Sequence, residues 1–367
     1  MGILQSLYRF CSNRGRPFPN GNWTQYNARM NDVAPPADNW RIIGHEWAVD
    51  FLRRALLHGR NRQAYLITGS PALGKMRLGL AFAMALNCEA EAGRQRPCFA
   101  CRACAAISRR SHPDLILAGA DAPLKIDDIR NVLRLLALKP YSARYRIAIF
   151  ADFHLVAPLA QDALLKTLEE PAPHAIVILL ATSAERVLPT IRSRAQQIPL
   201  RPIPQQLIKT QLVLSGCEEE RAELIARLSG GRMGWALKAV EDEALLVFRQ
   251  EILDMLRDVL AGTRLPRMKI SDQLSRRAGR DKALLRNVLE IWQSYWRDVL
   301  LQCYDSPVKP CNVDRRDEIR ALARRITTAK AHAALAATGS TLRALDTNAN
   351  PRLALDALFL TYPGLDA

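Results

Sequence analysis

Four cysteines lie within one short segment and have the spacing of a metal site. They form the pattern Cys-x9-Cys-x2-Cys-x2-Cys, at Cys88, Cys98, Cys101 and Cys104. Four thiolates suit tetrahedral zinc, and a site whose ligands all come from the protein is structural, not catalytic. Buried free thiols are the alternative, but clustering in one segment favours the metal. The other cysteines are dispersed, which is not the pattern of a disulfide framework and predicts a reducing compartment.

A second segment, ITGSPALGKMRLG, has most of the residues of a phosphate-binding loop. Gly69, Gly74 and Lys75 stand where such a loop needs them, between a predicted strand and a predicted helix. Glycines let the backbone N–H groups turn toward phosphate, and the helix N-terminus and the lysine add positive charge. The next position needs a hydroxyl to hold magnesium. Met76 stands there instead, and its thioether is a poor ligand for that ion.

The strand IAIFADFH carries a second departure from an ATP-hydrolysing site. Hydrolysing enzymes of this class hold the metal with an acidic residue and orient the nucleophile with another polar group. Here the strand is followed by Ala151, then by a lone Asp152, then by Phe153. We therefore expect no ATP hydrolysis by this chain. The sequence leaves open whether the degenerate loop still binds ATP.

Alternating strands and helices position these residues. The apolar runs predict a parallel sheet with helices on both faces, an α/β fold. The predicted strands are QAYLITG, DLILAG, YRIAIFAD and AIVILLAT. The predicted helices are AVDFLRRALLHG, GKMRLGLAFAMALNC, IDDIRNVLRLLALKP and PLAQDALLKTLEEP.

After RPIP, at residues 201–204, the predicted strands stop and only helices follow. QLIKTQLVLSG, EEERAELIARLSGG and a helix starting near Trp235 come first. Longer helices, including LLVFRQEILDMLRDVL and LLRNVLEIWQSYWRDVLL, follow from about residue 244. In the last of these, four large side chains at helical spacing are expected to form a core. They are Trp292, Tyr295, Trp296 and Val299.

The composition and the net charge indicate which kinds of partner the chain can have. The chain has 367 residues and a formal net charge of +16, so an acidic partner is expected and nucleic acid is the commonest one. A solvated arginine-rich surface is the alternative. No apolar run is long enough to span a membrane, and no membrane partner is expected. Residues 1–38 are interpreted as a disordered or misassigned N-terminal extension, and the composition of the first 29 residues also fits a transit peptide.

Several segments together resemble the bacterial DNA polymerase III clamp-loader family. They are the loop GSPALGK, the four-cysteine insert after its helix, QDALLKTLEEP, LPTIRSRAQQIPL and the tail NANPRLALDALFL. The resemblance covers the chain from about Asn39 to the C-terminus. It implies an AAA+-type P-loop domain with an inserted zinc module at residues 39–201. It also implies a small helical lid at 202–243 and an all-α collar that oligomerises at 244–367.

Within that family, the departures resemble the non-hydrolysing delta prime type of subunit, not the gamma and tau ATPases. An active subunit needs the loop hydroxyl, the acidic pair and a sensor arginine in the third lid helix. Met76, Ala151 and Trp235 stand at those positions, although Arg232 is close enough to substitute for the sensor.

The chain keeps one residue of the family's chemistry. Thr190 to Arg194 matches the family's SRC motif, with Ala195 in place of the cysteine. The resemblance implies that Arg194 is an arginine finger, reaching the ATP of a neighbouring subunit in trans. A surface ion pair is the alternative role. The two glutamates of LLKTLEEP, Glu169 and Glu170, are interpreted as a solvated helix end without a catalytic role.

The resemblance implies a cytoplasmic stator within a heteropentamer that loads the sliding clamp onto primed DNA. Its partners would be the gamma/tau and delta subunits, the clamp and the DNA. Two other functions stay open on the sequence. One is an active gamma/tau-type ATPase with unusual motifs, and the other is a stand-alone zinc and nucleic-acid binding protein on a degenerate ATPase domain.

Overall fold

A computed structural model gives the structure of the chain. It describes residues 39–364 except four short internal segments, which are 92–94, 120–123, 279–281 and 347–348. The predicted N-terminal extension, residues 1–38, lies outside the described residues.

The chain divides into two compact units. An α/β unit extends to Ala222 and includes residues 231–237. A helical unit comprises residues 223–230 and the chain from Lys238 onward. The predicted boundaries of lid and collar stay predictions.

The α/β unit is built on five parallel strands in the order β2-β3-β4-β1-β5. The four predicted strands are confirmed, and each lies within its predicted segment. The strands are β1 (Ala64–Thr68), β2 (Leu115–Ala118), β3 (Arg146–Phe150), β4 (Ala175–Ala181) and β5 (Gln196–Pro199). The sequence reading missed β5, which has two glutamines in four residues and no apolar run.

Two hydrophobic clusters cover the two faces of the sheet. Side chains alternate along a strand, so Ile178 and Leu180 of β4 pack into one cluster while Val177 and Leu179 pack into the other. All seven residues of β4 are buried. This explains its unbroken apolar sequence, which is typical of a strand covered on both faces.

Helices connect the strands of the α/β unit. Those before β4 are α1 (Glu46–Leu57), α2 (Lys75–Asn87), α3 (Arg102–Ser108), α4 (Ile126–Ala137), α5 (Pro158–Asp162) and α6 (Leu165–Glu169). Those after it are α7 (Pro189–Arg192) and α8 (Gln205–Leu214). α4 begins where the Asp128 carboxylate accepts the backbone N–H of Lys125 at 2.9 Å, which satisfies a free donor at the helix start.

The predicted helix over PLAQDALLKTLEEP is two short helices, α5 and α6. Between them the N–H of Leu164 bonds to the carbonyl of Gln161, three residues back, at 3.0 Å. This tighter turn interrupts the regular helix. The buried Gln161 amide also donates to the carbonyl of Val156 and accepts the N–H of Leu188, which ties α5 to the start of α7.

The regular elements in the rest of the described chain are helices, as predicted. α9 (Glu219–Leu228) and α10 (Met233–Glu241) each cross the division between the two units. The later helices are α11 (Ala244–Ala261), α12 (Arg264–Ala278), α13 (Lys282–Cys303), α14 (Arg316–Arg325), α15 (Thr328–Asp346) and α16 (Pro351–Thr361). No helix among the described residues has both the length and the apolar character needed to cross a membrane.

The core of the helical unit forms around α13, and the predicted aromatic face is confirmed. Trp292, Tyr295, Trp296 and Val299 are each at most 2% exposed. The Trp292 indole N–H donates to the carbonyl of Ile252 in α11 at 2.9 Å. The aromatic side chains therefore serve packing in this unit.

Candidate functional site: phosphate loop, cysteine cluster and Arg194

The phosphate loop joins β1 to α2 and turns at two glycines. Gly69 has φ +144°, and a Cβ there would lie 2.7 Å from the carbonyl oxygen of Leu200. Gly74 has φ +94° and immediately precedes α2. The first glycine is required by a close backbone approach and the second by its left-handed conformation.

Lys75 folds back onto its own loop. Its Nζ donates to the carbonyl oxygens of Gly69 at 2.6 Å and Ser70 at 2.8 Å. Burial lowers the pKa of this ammonium to about 8, and the nearby Asp152 carboxylate partly offsets that effect. At neutral pH the group remains mostly charged.

Two further carbonyls of the loop are bound by other segments of the same unit. The backbone N–H of Gly234, in the first turn of α10, donates to the carbonyl of Ala72 at 2.9 Å. On Leu73, the carbonyl lies 3.1 Å from His45 Nε2, which carries the proton in this hydrogen bond. Four carbonyls of the loop therefore have partners within the protein.

Gly234 of α10 lies against the loop, one residue before Trp235, which stands at the position of the expected sensor arginine. A Cβ built at Gly234 would lie 2.8 Å from the carbonyl oxygen of Ala72, so this position has no room for a side chain. Instead, Trp235 has the Arg232 guanidinium 5.9 Å from its ring centroid, within the range of a cation–π contact. Sequence reasoning missed Gly234 because nothing local to GRMGWALK shows which residue faces a loop more than a hundred positions earlier.

The groups that hold magnesium in an ATPase are missing at the two positions where the sequence predicts their absence. Met76 is partly buried and packs against the core. β3 ends at Phe150, and Ala151 follows it, 9% exposed. The exposed Asp152 is the first acidic group after the strand, and the buried Phe153 follows it. Neither an oxygen ligand after Lys75 nor an acidic pair after β3 is present.

The four cysteines of the predicted zinc site come together. Their Sγ atoms all lie within 4.8 Å of one another, and no other group of three or more potential metal ligands is found among the described residues. Tetrahedral zinc with Zn–S bonds near 2.3 Å requires sulfur–sulfur distances of roughly 3.8 Å, which this cluster can adopt with small side-chain movements. The residues therefore fit the metal.

Helix ends and backbone donors build the cluster. Cys88 directly follows α2 and Cys101 directly precedes α3. The sulfurs of Cys88, Cys98 and Cys101 accept backbone N–H groups at 3.3 to 3.4 Å. Burial alone would raise the pKa of Cys98, but the N–H groups of Ala100 and Cys101 and the neighbouring thiols outweigh it and lower the pKa to about 6. The lowered pKa favours the metal-binding thiolate form at Cys98, whereas burial raises the pKa of the Cys88 and Cys104 thiols.

Arg194 lies at the surface, after α7. Its Nη2 donates to Glu169 Oε1 at 2.6 Å and its Nη1 to the carbonyl of Thr190 at 3.0 Å. Ala195, which stands where the SRC motif has its cysteine, is 8% exposed and packs in the core. From the sequence, Glu169 is expected at a solvated helix end. Its contact with Arg194 depends on the approach of α6 to α7, which no local pattern reports.

Residues 44–204 match the family model described as "DNA polymerase III, delta subunit". The match begins just before α1 and ends at the residue before α8, so it includes the phosphate loop, the cysteine cluster and Arg194. This region is therefore similar to a family of DNA polymerase III subunits.

Curated proteins similar to this chain include tau and gamma subunits of DNA polymerase III. The chain is 33% identical over 206 residues to the DNA polymerase III subunit tau of Bacillus subtilis, covering 54% of this chain and 36% of the relative. It is 31% identical over 221 residues to the DNA polymerase III subunit tau of Escherichia coli, covering 57% of this chain and 34% of the relative. The chain thus spans about a third of the length of these relatives.

A solved structure of a DNA polymerase III, gamma subunit-related protein from Thermotoga maritima is also similar. It has a TM-score of 0.44 and 16% sequence identity, over 84% of this chain and 97% of that chain. At this level the likeness adds nothing to the fold described above.

Proposed function

We propose that this protein is a non-hydrolysing, delta prime-type stator of a DNA polymerase III clamp loader. In this role it donates Arg194 to the ATP site of a neighbouring subunit. The proposal rests on two observations taken together, one on the chain's own phosphate loop and one on Arg194. The chain's own loop lacks the groups that hold magnesium, whereas Arg194 is exposed at the surface and has donors to offer.

Two positions, one directly after the loop lysine and one after β3, support the loss of hydrolysis. Met76 cannot supply the hard oxygen that magnesium requires, and Ala151 cannot supply the acidic ligand after β3. The hydrogen bonds of Lys75 and Gly234 to loop carbonyls also hold the loop in one conformation without nucleotide. The region would then serve as a rigid scaffold.

Arg194 has the chemistry of a finger. A guanidinium placed against a γ-phosphate stabilises the charge that spreads over its oxygens in the transition state, and this contribution is about 10³–10⁵ in rate in well-studied enzymes. A surface ion pair, by comparison, contributes about 0–1 kcal/mol to stability. The similarity of residues 44–204 to a family of DNA polymerase III subunits favours the finger.

The four cysteines would hold one structural zinc ion, which supplies a cross-link between the end of α2 and the start of α3. The thiolates of Cys88, Cys98, Cys101 and Cys104 would fill its tetrahedral positions, so no position is left for a substrate. The metal takes no part in chemistry.

The chain would assemble with other subunits through its last domain. Residues 39–201 would be the AAA+-type domain, 202–243 a helical lid and 244–367 a collar that oligomerises with gamma/tau and delta subunits. The complex would load the sliding clamp onto primed DNA in the cytoplasm. The net charge of +16 would help it track the DNA backbone without reading sequence.

A second candidate is an active gamma/tau-type ATPase, favoured by the 31% and 33% identities to tau subunits. ATP turnover by the isolated chain distinguishes the two. The stator predicts no turnover above a buffer control and association with gamma/tau-type subunits. Turnover that Lys75→Ala abolishes would establish the ATPase, and DNA binding without any subunit association would favour the stand-alone protein.

A further inference from the structure

The guanidinium of Arg194 is fixed by two acceptors from different elements. Glu169, the last residue of α6, accepts from Nη2 at 2.6 Å. The carbonyl of Thr190, in α7, accepts from Nη1 at 3.0 Å. The bond to the carboxylate is short, as charge-assisted hydrogen bonds are, and the bond to the carbonyl has an ordinary length. The arginine is therefore held from two sides before any phosphate is present.

This arrangement leaves donors for a phosphate. A guanidinium has five N–H donors, one on Nε and two on each terminal nitrogen. The bonds to Glu169 and Thr190 occupy one N–H of Nη2 and one of Nη1, and a longer contact to Ser193 Oγ at 3.5 Å can take the other N–H of Nη1. The Nε–H and one N–H of Nη2 remain. The remaining donors can bind a second anion while the first two bonds persist.

The exposure of the pair also bears on its role. The side chains of Arg194 and Glu169 are 37% and 51% exposed. Solvent screens such a pair, so its contribution to the stability of the fold is small. The same contact can still select one orientation from the many that a long, flexible side chain samples in water. Orientation is therefore what this ion pair can supply.

We propose that Glu169 is a positioning residue for Arg194, holding the guanidinium in the orientation in which it meets a nucleotide triphosphate on a neighbouring subunit. The inference rests on the proposed function. It assigns a role to a glutamate that the sequence alone presents as a solvated helix end. The opposite role, in which Glu169 competes with the phosphate for Arg194, predicts the opposite sign in the rate experiment below.

The contact itself can be tested in the isolated chain. Phenylglyoxal modifies accessible arginines, and peptide mass spectrometry reports the rate at Arg194. We expect Glu169→Ala to speed modification of Arg194 by about two- to fivefold, the factor by which an exposed ion pair biases a side chain. Glu170→Ala removes the same charge one residue away from an exposed position and is the matched control. Equal rates in the two variants would overturn the proposal.

The role is tested in a complex reconstituted with gamma/tau-type ATPase subunits, a sliding clamp and primed DNA. Single-turnover ATP hydrolysis defines the phase that Arg194→Ala removes, and the rate constant of that phase is then measured in the Glu169 variants. We expect Glu169→Ala to lower it about two- to fivefold with unchanged nucleotide affinity, and Glu169→Asp to restore part of the loss. Combining Glu169→Ala with Arg194→Ala should add nothing to the loss caused by Arg194→Ala alone.

The outcomes separate the inference from the function on which it rests. An Arg194→Ala complex with unchanged hydrolysis would overturn the proposed function. A large loss in Arg194→Ala, together with equal rates for Glu169→Ala and Glu170→Ala, would overturn only the positioning role. A faster rate in Glu169→Ala would also overturn it, since that result means that the carboxylate restrains the finger.

Discussion

Replacing Gly234 with alanine should loosen the contact between α10 and the phosphate loop. The added methyl would lie 2.8 Å from the carbonyl oxygen of Ala72 and 3.4 Å from its Cα and carbonyl carbon. A backbone oxygen cannot move aside as a flexible side chain can, so either α10 or the loop must shift. The hydrogen bond from the Gly234 N–H to Ala72 would then lengthen.

The magnitude follows from two opposing effects. Overpacking of this kind costs about 1–3 kcal/mol. Replacing glycine by alanine inside a helix stabilises the helix by up to about 1 kcal/mol, because alanine has the higher helix propensity. With the full gain in helix propensity, the net loss in the free energy of local opening is about 0–2 kcal/mol, and we expect about 1 kcal/mol.

Gly79→Ala is the matched control. It makes the same change inside a helix, α2, where the added methyl would meet its nearest side-chain atoms at 3.6 Å, an ordinary contact distance. This variant should be neutral or more stable, by up to about 1 kcal/mol. The comparison isolates the steric effect from helix propensity.

Hydrogen exchange measured on the full chain is the suitable assay, because it reports opening free energies segment by segment. Gly234→Ala should accelerate exchange in the peptides that contain the loop and the start of α10, and Gly79→Ala should not. Unchanged exchange in Gly234→Ala would refute the contact between α10 and the loop.

Two further predictions concern other parts of the α/β unit. The purified chain should carry one equivalent of zinc by elemental analysis. Cys98→Ser should lower both the zinc content and the melting temperature, whereas the control Cys303→Ser should retain the metal. A wild-type chain that contains no zinc and is equally stable would contradict the site. The buried Asp114 carboxylate accepts the backbone N–H groups of Tyr141, Ser142 and Ala143 and pairs with the Arg146 guanidinium at 3.0 Å. Asp114→Ala should lower the free energy of unfolding by about 3–5 kcal/mol, because it leaves the largely buried Arg146 without its carboxylate partner. The exposed Asp127→Ala should change it by less than about 1 kcal/mol. Burial alone would raise the pKa of Asp114, but backbone N–H groups and the Arg146 guanidinium outweigh it and lower the pKa. The contribution of Asp114 to the free energy of unfolding is therefore present above about pH 4 and should disappear as the pH falls through the folded-state pKa. A stability difference between wild type and Asp114→Ala that grew in acid would refute this assignment.

The sequence predicted those parts of the fold that depend on local pattern. β4 was predictable because a strand buried on both faces must be apolar throughout. The aromatic face of α13 was predictable because helical spacing places Trp292 and Trp296 on one side. The phosphate loop was predictable because glycines and lysine at fixed offsets between a strand and a helix are a local requirement.

What the sequence did not predict depends on contacts between distant segments. β5 forms because it pairs with β1, and its own residues, Gln196–Pro199, do not require a strand. The contact of Gly234 with Ala72 and the ion pair of Arg194 with Glu169 exist only once the chain has folded. Their partners are separated by too many positions for any periodicity to reveal them.

The central claim is that this chain assists a neighbour's ATP hydrolysis without hydrolysing ATP itself. The most direct measurement is the number of ATP molecules hydrolysed in a single turnover by the reconstituted complex on primed DNA. A finger that contributes about 10³ or more in rate implies that Arg194→Ala removes one fast-hydrolysing site per complex and leaves assembly intact. An Arg194→Ala complex that assembles and hydrolyses as many ATP molecules, at the same rate, would contradict the account.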